Sequence, residues 1–397
     1  MQFSGAMPVQ PWMRAAETLA VLLALAAEGG TARFVGGCVR DALVGYPVED
    51  IDLAVDRQPQ DSLRLLQAAG IRTIPTGLEH GTVTAVAGAR HFEITALRVD
   101  VEAFGRHARI AFTDDWGADA ARRDFTMNAL FADPDGTLYD PTGGLADLKA
   151  GRVRFVGVAA ERIEEDYLRI LRYFRFHAWY GRGRPDDEAL AACRSHAGGL
   201  DRLSGERLRK ELLRLLAAPE PRPALRLMAE SGVLGRLLPG QAGLAALDRL
   251  MTAEMAVDPL LRLAALCPNG AEAAEAVAAH LRLSAAERER LSFLRAPPER
   301  PAEGDGDASL RRMAYRHGNA RMAELARLEG DGALAARLQA LDVPAFPLQG
   351  RDVLALGLQP GPAVGRLLRA VEADWIAGDF TADRTTLLEE LKRRAAG

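Results

Sequence analysis

Cysteine is scarce, with only Cys38, Cys193 and Cys267 among 397 residues. That spacing builds neither a disulfide framework nor a cysteine zinc site, so a reducing, cytoplasmic setting is expected. Lysine is equally rare, at positions 149, 210 and 392, against 47 arginines. We read this mainly as coding bias, although arginine also suits planar, bidentate phosphate recognition. An excess of one charge is missing too: the formal net charge is −4, so a nucleic-acid partner must be held by a local basic surface. The apolar run 18–27 is too short to span a bilayer and lacks a basic leader or cleavage site. It is expected to be an amphipathic helix packed on the first domain. No His-Asp dipeptide occurs and the seven histidines are dispersed, which removes support for a metal-dependent phosphohydrolase. There is no low-complexity segment and no fixed-period repeat.

What remains is a globular composition, 48% hydrophobic and 26% charged, long enough for two to four packed units. Strand-like text is confined to roughly the first 155 residues. It comprises 33–35, 51–55, a hairpin of 82–87 and 92–97 around Gly88-Ala89, residues flanking the Asp135-Gly136 turn, and 153–156. Helices are expected after Gly37, Pro59 and Asp119. From Glu161 onward the periodicity is helical, with helices at 164–179, 204–217, 222–231, 258–266, 362–377 and 381–394. Ser284-Ala285-Ala286-Glu287 reads as a capping box, and the Pro-, Gly- and acid-rich stretch 296–309 as a linker. The division expected is a mixed head at 1–157, a helical neck at 158–217, a helical body at 218–295 and a helical tail at 310–397.

Several motifs carry chemistry. In Phe34-Val35-Gly36-Gly37-Cys38-Val39-Arg40-Asp41 a strand ends, two glycines turn and a helix begins. Gly36 and Gly37 let backbone N–H groups approach an anion, and Arg40 lies one turn further on; an ordinary turn would read the same way. In Glu49-Asp50-Ile51-Asp52-Leu53, alternation along a strand sends Asp50 and Asp52 to one side while Ile51 and Leu53 enter the core. Two parallel carboxylates repel unless a cation offsets them, and hard oxygen donors suit magnesium. The alternative is a solvated strand edge. Glu93, on an otherwise apolar strand, is either a third metal-associated carboxylate or a structural acid paired with an arginine.

Arg122-Arg123-Asp124-Phe125-Thr126-Met127-Asn128-Ala129-Leu130 follows a polar segment, 98–119, expected to be mobile. Its arginines, at the start of a helix, could hold a triphosphate or be plain surface charge. In Glu165-Asp166-Tyr167-Leu168-Arg169-Ile170-Leu171-Arg172-Tyr173-Phe174-Arg175, arginines recur every third residue beside a core face. A three-residue step turns about −60° around a helix axis, so only neighbouring members share a ligand. Asp166 with Arg169 is the favoured pair, and Arg175 could be structural. An ionised Asp only accepts and an Arg only donates. Cytosine and adenine both offer an amino donor beside a ring-nitrogen acceptor, whereas guanine and uracil present the reverse, so the pair fits C and A. A simple i,i+3 ion pair is the competing reading.

In unbroken order over residues 33–217, GGxVRD, DID, RRDFTMNAL, DPTGGLADL, EEDYLRILRYFRF and SGER resemble the class II CCA-adding enzymes and the related bacterial poly(A) polymerases. The segments 346–352 and 360–362 resemble the family's C-terminal half less specifically. The resemblance implies an α+β fold, with a polymerase-β-like nucleotidyltransferase head of mixed sheet followed by an all-helical neck, body and tail. It implies Mg2+ on Asp50 and Asp52; Glu93 is kept beside them as a candidate catalytic acid from its strand pattern, not from the resemblance. The resemblance assigns nucleotide contacts to Gly37, Arg40, Arg123, Asp166, Arg169, Arg172 and Arg175, and the glycine turn adds Gly36. The implied partner is tRNA, at its 3′ end and acceptor stem, with CTP and ATP as substrates and no membrane. Rival readings are a poly(A) polymerase, a CC-only or A-only enzyme, and an inactive RNA-binding module, which retention of Asp50 and Asp52 disfavours. No oligomeric state is assigned.

Overall fold

The computed structural model describes residues 3–75, 77–104, 107–240 and 243–396. Short strands alternate with helices as far as residue 150: β1 (Phe3–Ala6), β2 (Ala32–Val35), β3 (Ile51–Val55), β4 (Arg72–Ile74), β5 (Thr82–Ala87), β6 (Arg90–Ala96), β7 (Arg98–Phe104), β8 (His107–Phe112), β9 (Phe131–Ala132) and β10 (Thr137–Tyr139). Eight of them form one sheet in the order β1-β10-β9-β2-β3-β6-β5-β4, while β7 and β8 make a separate antiparallel hairpin. β3 lies in the interior, antiparallel to β2 and parallel to β6, so the sheet is mixed. Period-two alternation buries Ile51, Leu53 and Val55 and turns Asp52 to the other face. The head helices are α1 (Ala16–Ala26), α2 (Gly37–Val44), α3 (Pro59–Ala68), α4 (Trp116–Ala121) and α5 (Gly144–Ala150). α1 packs against α3, β2 and β5, as the apolar run 18–27 implied. Val35, Ala54, Trp116, Ala120, Ala129 and Phe131 form a core beneath the sheet's centre.

The chain then becomes helical: α6 (Ala159–Glu165), α7 (Leu168–Tyr180), α8 (Asp187–Ser195), α9 (Gly205–Leu216) and further helices to Ala395. Ile170, Leu171, Tyr173, Phe174, Phe176 and His177 of α7 are buried, the 3–4 spacing of an amphipathic stripe. Phe125 of the head meets Phe155 at 4.7 Å and Phe176 of α7 at 5.1 Å between ring centroids, which ties α7 to the head. Two compact units result, one of residues 1–239 with 279–282, the other of 240–278 with 283–397. In the second, the Ser284 capping box is fully formed and Pro362–Ala377 is helical as expected. Among the described residues no helix is long and apolar enough to cross a membrane.

Three local expectations need correction, and the segment 98–119 gains a secondary structure that the sequence did not announce. Residues 153–156 form no strand; only an isolated bridge joins Phe155 to Phe125, because the extended neighbour is one residue long and turns into a 3-10 helix at Thr126. Helix α4 starts before Asp119 and ends at Ala121, so Arg122 and Arg123 follow a helix C-terminus instead of opening a helix. The polar segment 98–119 contains the β7–β8 hairpin, of which positions 105 and 106 lie outside the described residues. The helix 164–179 is broken: Asp166 takes an extended conformation (φ −155°), ending α6, and α7 starts at Leu168.

Candidate active site

The turn from β2 into α2 requires glycine. Gly36 has φ +69° and donates its N–H to Leu130 O at 3.1 Å, a left-handed geometry a side chain would strain. Gly37 opens α2 with its Cα toward the carboxylates: a methyl there would stand 4.0 Å from Asp52 Oδ2 and 3.7 Å from Arg40 Nη2. Backbone at the positive end of a helix therefore lies against the acidic group.

Asp50 immediately precedes β3 and Asp52 lies within it, and the parallel register sets Asp52 beside Glu93. Burial pushes the Asp52 carboxyl up to about 6, Glu93 and Asp50 add to the rise, and Arg123 and Arg40 oppose it. Glu93 is exposed, forms no ion pair among the described residues, and alternates with buried Phe92 and Ile94. Among the described residues no three Asp, Glu, His or Cys side chains converge as a ready metal cage. The fit to a cation is that of an open site: mutually repelling oxygen donors, one reluctant to ionise, with the remaining coordination left to other ligands. Magnesium commonly binds in that manner, through one or two carboxylates plus waters and substrate phosphates.

The candidate phosphate arginines are held in place. Arg40 is buried, pairs with both Asp41 oxygens at 2.9 Å, donates to Asn128 Oδ1 at 2.5 Å and lies 4.4 Å from the Tyr180 ring centroid. Arg123 donates to Asp119 Oδ2 at 2.8 Å and reaches Asn128 O at 3.5 Å. Burial would raise the Asp119 carboxyl, but Arg123 and Arg122 outweigh it and hold it below its ordinary value. Asn128 is the junction, because its amide also donates to Asp124 Oδ1 at 2.9 Å. Asp124 in turn accepts from Arg172 Nε at 2.7 Å. Burial would push Asp124 up, yet Arg172 and Asn128 bring it down to about 2. A continuous polar network thus runs Asp41–Arg40–Asn128–Asp124–Arg172, from head to α7. Neither Asp124 nor Asn128 was singled out by sequence, although both sit in the RRDFTMNAL motif; their partners are 48 and 88 residues away. Arg175 forms an ion pair with buried Glu211 at 2.8 Å, off-line for a hydrogen bond, and burial lowers its pKa to about 10 against Glu211.

The network yields a stability prediction. The folded Asp124 pKa lies below the ordinary 3.8, so its contribution is complete above about pH 4 and drains away as pH falls toward 2. The urea midpoint of the unmodified chain should therefore drop between pH 5 and 3 more steeply than that of Asp124→Asn. Parallel curves would refute the assignment.

Asp166 and Arg169 do not pair with each other. Asp166 Oδ2 accepts from Arg207 at 2.7 Å and Oδ1 from the Leu168 N–H at 3.1 Å. Arg169 donates to Arg162 O at 2.8 Å and forms an ion pair with Glu165. Asp166 and Arg207 line a cavity of about 550 Å3 that Arg169 does not line. A separate cavity of about 610 Å3 holds Gly37, Arg40, Asp50, Asp52 and Arg175. The break before α7 frees Asp166 from helical geometry, and Arg207 of α9 holds it there; the sequence showed the SGER motif without this role. Arg207→Ala should cost one charge-assisted bond, about 1.5–3 kcal/mol, or roughly tenfold or more in whatever Asp166 recognises. Partial rescue by Arg207→Lys would separate positioning from folding, and unchanged nucleotide selectivity would sink the idea.

Residues 32–154 match the family model of the poly A polymerase head domain, and 184–244 that of a probable RNA and SrmB-binding site of polymerase A. The mouse protein named CCA tRNA nucleotidyltransferase 1, mitochondrial, is 36% identical, the match covering 93% of this chain and 88% of that protein. The Latilactobacillus sakei CCA-adding enzyme is 38% identical, over 59% of this chain and 58% of that protein. The crystal structure of the Bacillus stearothermophilus CCA-adding enzyme in complex with CTP superposes with TM-score 0.79 at 26% identity, covering 98% of each chain.

Proposed function

The chain belongs to the CCA tRNA nucleotidyltransferase family, and from that premise we propose that it adds C, C and A to the 3′ end of tRNA from CTP and ATP, without a nucleic-acid template. The observation that carries this reading is the polar network Asp41–Arg40–Asn128–Asp124–Arg172, which ties α2, whose first residue Gly37 lies against Asp52, to α7. It fixes the arginines proposed for the phosphates beside the carboxylates proposed for the metal.

In the reaction the primer 3′-hydroxyl oxygen bonds to the α-phosphorus of the incoming nucleotide, the bond to the β-phosphate breaks, and pyrophosphate leaves. Asp50 and Asp52 would hold magnesium, which when bound supplies activation of the hydroxyl and charge relief on the leaving group. Glu93 beside Asp52 keeps that face acidic. The Gly36-Gly37 turn brings backbone donors close to the phosphates, and Arg40 and Arg123 neutralise them from fixed positions. Arg172 and Arg175 complete the basic side, each anchored by an acid. Asp166 accepts the exocyclic amino group of C or A while Arg169 donates to the adjoining ring nitrogen. The functional parts are a head at 1–157, a neck at 158–217, a body at 218–295 and a tail at 310–397. Three buried, free cysteines support placing the enzyme in the reducing cytoplasm.

Incubation of the purified chain with tRNA lacking its 3′ terminus and all four NTPs, followed by product sequencing, tests the reading. Three added nucleotides ending in A are expected. A long A tail would identify a poly(A) polymerase, and two C residues or a single A a partial enzyme.

A further inference from the structure

The cavity of about 610 Å3 beside the catalytic carboxylates is lined by more than phosphate-binding groups: Tyr46, Trp179, Tyr180 and Arg214 share it with Asp50 and Asp52. The rings form a cluster. Tyr46 lies edge-on to Trp179 at 6.2 Å and 5.8 Å from Tyr180 between centroids. Their polar tips are tied back into the protein. Tyr46 Oη–H donates to Trp179 O at 3.2 Å, and Trp179 Nε1–H donates to Arg214 O at 2.9 Å. Both rings are only half-buried, although each has a well-placed backbone partner. Arg214 is exposed, and its guanidinium forms no ion pair among the described residues, unlike Arg40, Arg123, Arg172 and Arg175.

Neither Asp166 nor Arg169 lines this cavity. If the incoming base is read by those two, the aromatic-lined space next to Asp50 and Asp52 is left to the other reactant. That reactant is the RNA 3′ end, whose hydroxyl has to reach the same carboxylates. Its terminal base changes with each addition, so a site that read base edges there would reject its own product. Stacking is indifferent to base identity, because every base has a π face, and it contributes about 1–3 kcal/mol per base. A free guanidinium beside the rings suits a backbone phosphate, which positions the strand without reading it.

We propose that Tyr46 and Trp179 form the stacking seat for the terminal base of the RNA primer, with Arg214 on a neighbouring backbone phosphate. The inference rests on reading the site as RNA-extending and assigns the primer's place within it.

The test uses the full chain and an RNA acceptor minihelix carrying 2-aminopurine at its 3′ end, first without nucleotides and then with CTP and ATP. In the unmodified protein, binding should quench the fluorophore through stacking. Trp179→Leu and Tyr46→Leu should each raise the primer KM roughly tenfold, equivalent to about 1.4 kcal/mol, and weaken the quenching. The KM for CTP and the choice of C and A over U and G should stay unchanged, and Trp179→Phe should retain most of the quenching. Arg214→Ala should lower the slope of log affinity against log salt by about 0.7. Should Trp179→Leu fail to fold, Tyr46→Leu and Arg214→Ala still decide. Unaltered primer KM and quenching in the folded variants, or a shift in CTP KM instead, would overturn the assignment. If the unmodified chain extends no primer at all, the reading of the site as RNA-extending fails, and the stacking seat with it. CCA addition by the unmodified chain alongside unaffected variants would refute the stacking seat alone.

Discussion

Asp52→Ala and Asp50→Ala are each expected to lower the rate of nucleotide addition by about three orders of magnitude while leaving tRNA affinity within about twofold. Losing several kcal/mol of transition-state charge stabilisation converts to a rate effect of that size. Asp52 is the more sensitive position, because it sits inside β3 with its carboxyl pushed up to about 6 by burial and by Glu93. An alanine there removes repulsion from the apo protein, so the folded state should be no less stable than before. The two readouts therefore separate: single-turnover incorporation of labelled CTP collapses, while thermal unfolding and filter binding of tRNA do not. Incorporation at the unmodified rate would remove the carboxylates from the chemistry.

The double variant Asp166→Ala with Arg169→Ala should lose discrimination between C or A and U or G by roughly 10–100-fold, with slower but continuing transfer. Bidentate polar recognition of a base edge is worth about 1–3 kcal/mol against the wrong base. Polar mismatch is also where recognition sites gain most selectivity. The two side chains are not each other's partners: Arg207 holds the Asp166 carboxylate, and Glu165 with the Arg162 carbonyl holds the Arg169 guanidinium. Competition between CTP and UTP on one primer, read by sequencing, measures the effect. A variant still choosing C and A as strictly as the parent would show that the template lies elsewhere.

The parts of the head that were legible in sequence are those whose structure is decided locally. A Gly-Gly turn after a short apolar run, an alternating DID strand and a Gly88-Ala89 hairpin each announce their geometry within a few residues, and all three are present. The strand Phe3–Ala6 went unread because its text, Phe-Ser-Gly-Ala, has no alternation; pairing with Thr137–Tyr139 makes it a strand. Residues 153–156 show the converse, strand-like text whose only pairing is a single bridge to Phe125. Helical periodicity carried straight through Asp166, since nothing nearby announces a break. The acid's partner there, Arg207, is 41 residues further along. Candidate site residues were thus visible as residue types, whereas the partners that orient them come from tertiary contact.

The interruption between Glu165 and Leu168 has a consequence for the acid that lies in it. On a continuous helix Asp166 would follow the pitch set by α6. On an extended residue it instead caps the next helix, its Oδ1 accepting from the Leu168 N–H at 3.1 Å, and turns Oδ2 to Arg207 of α9 at 2.7 Å. One break thus ends α6, opens α7 and ties both to α9.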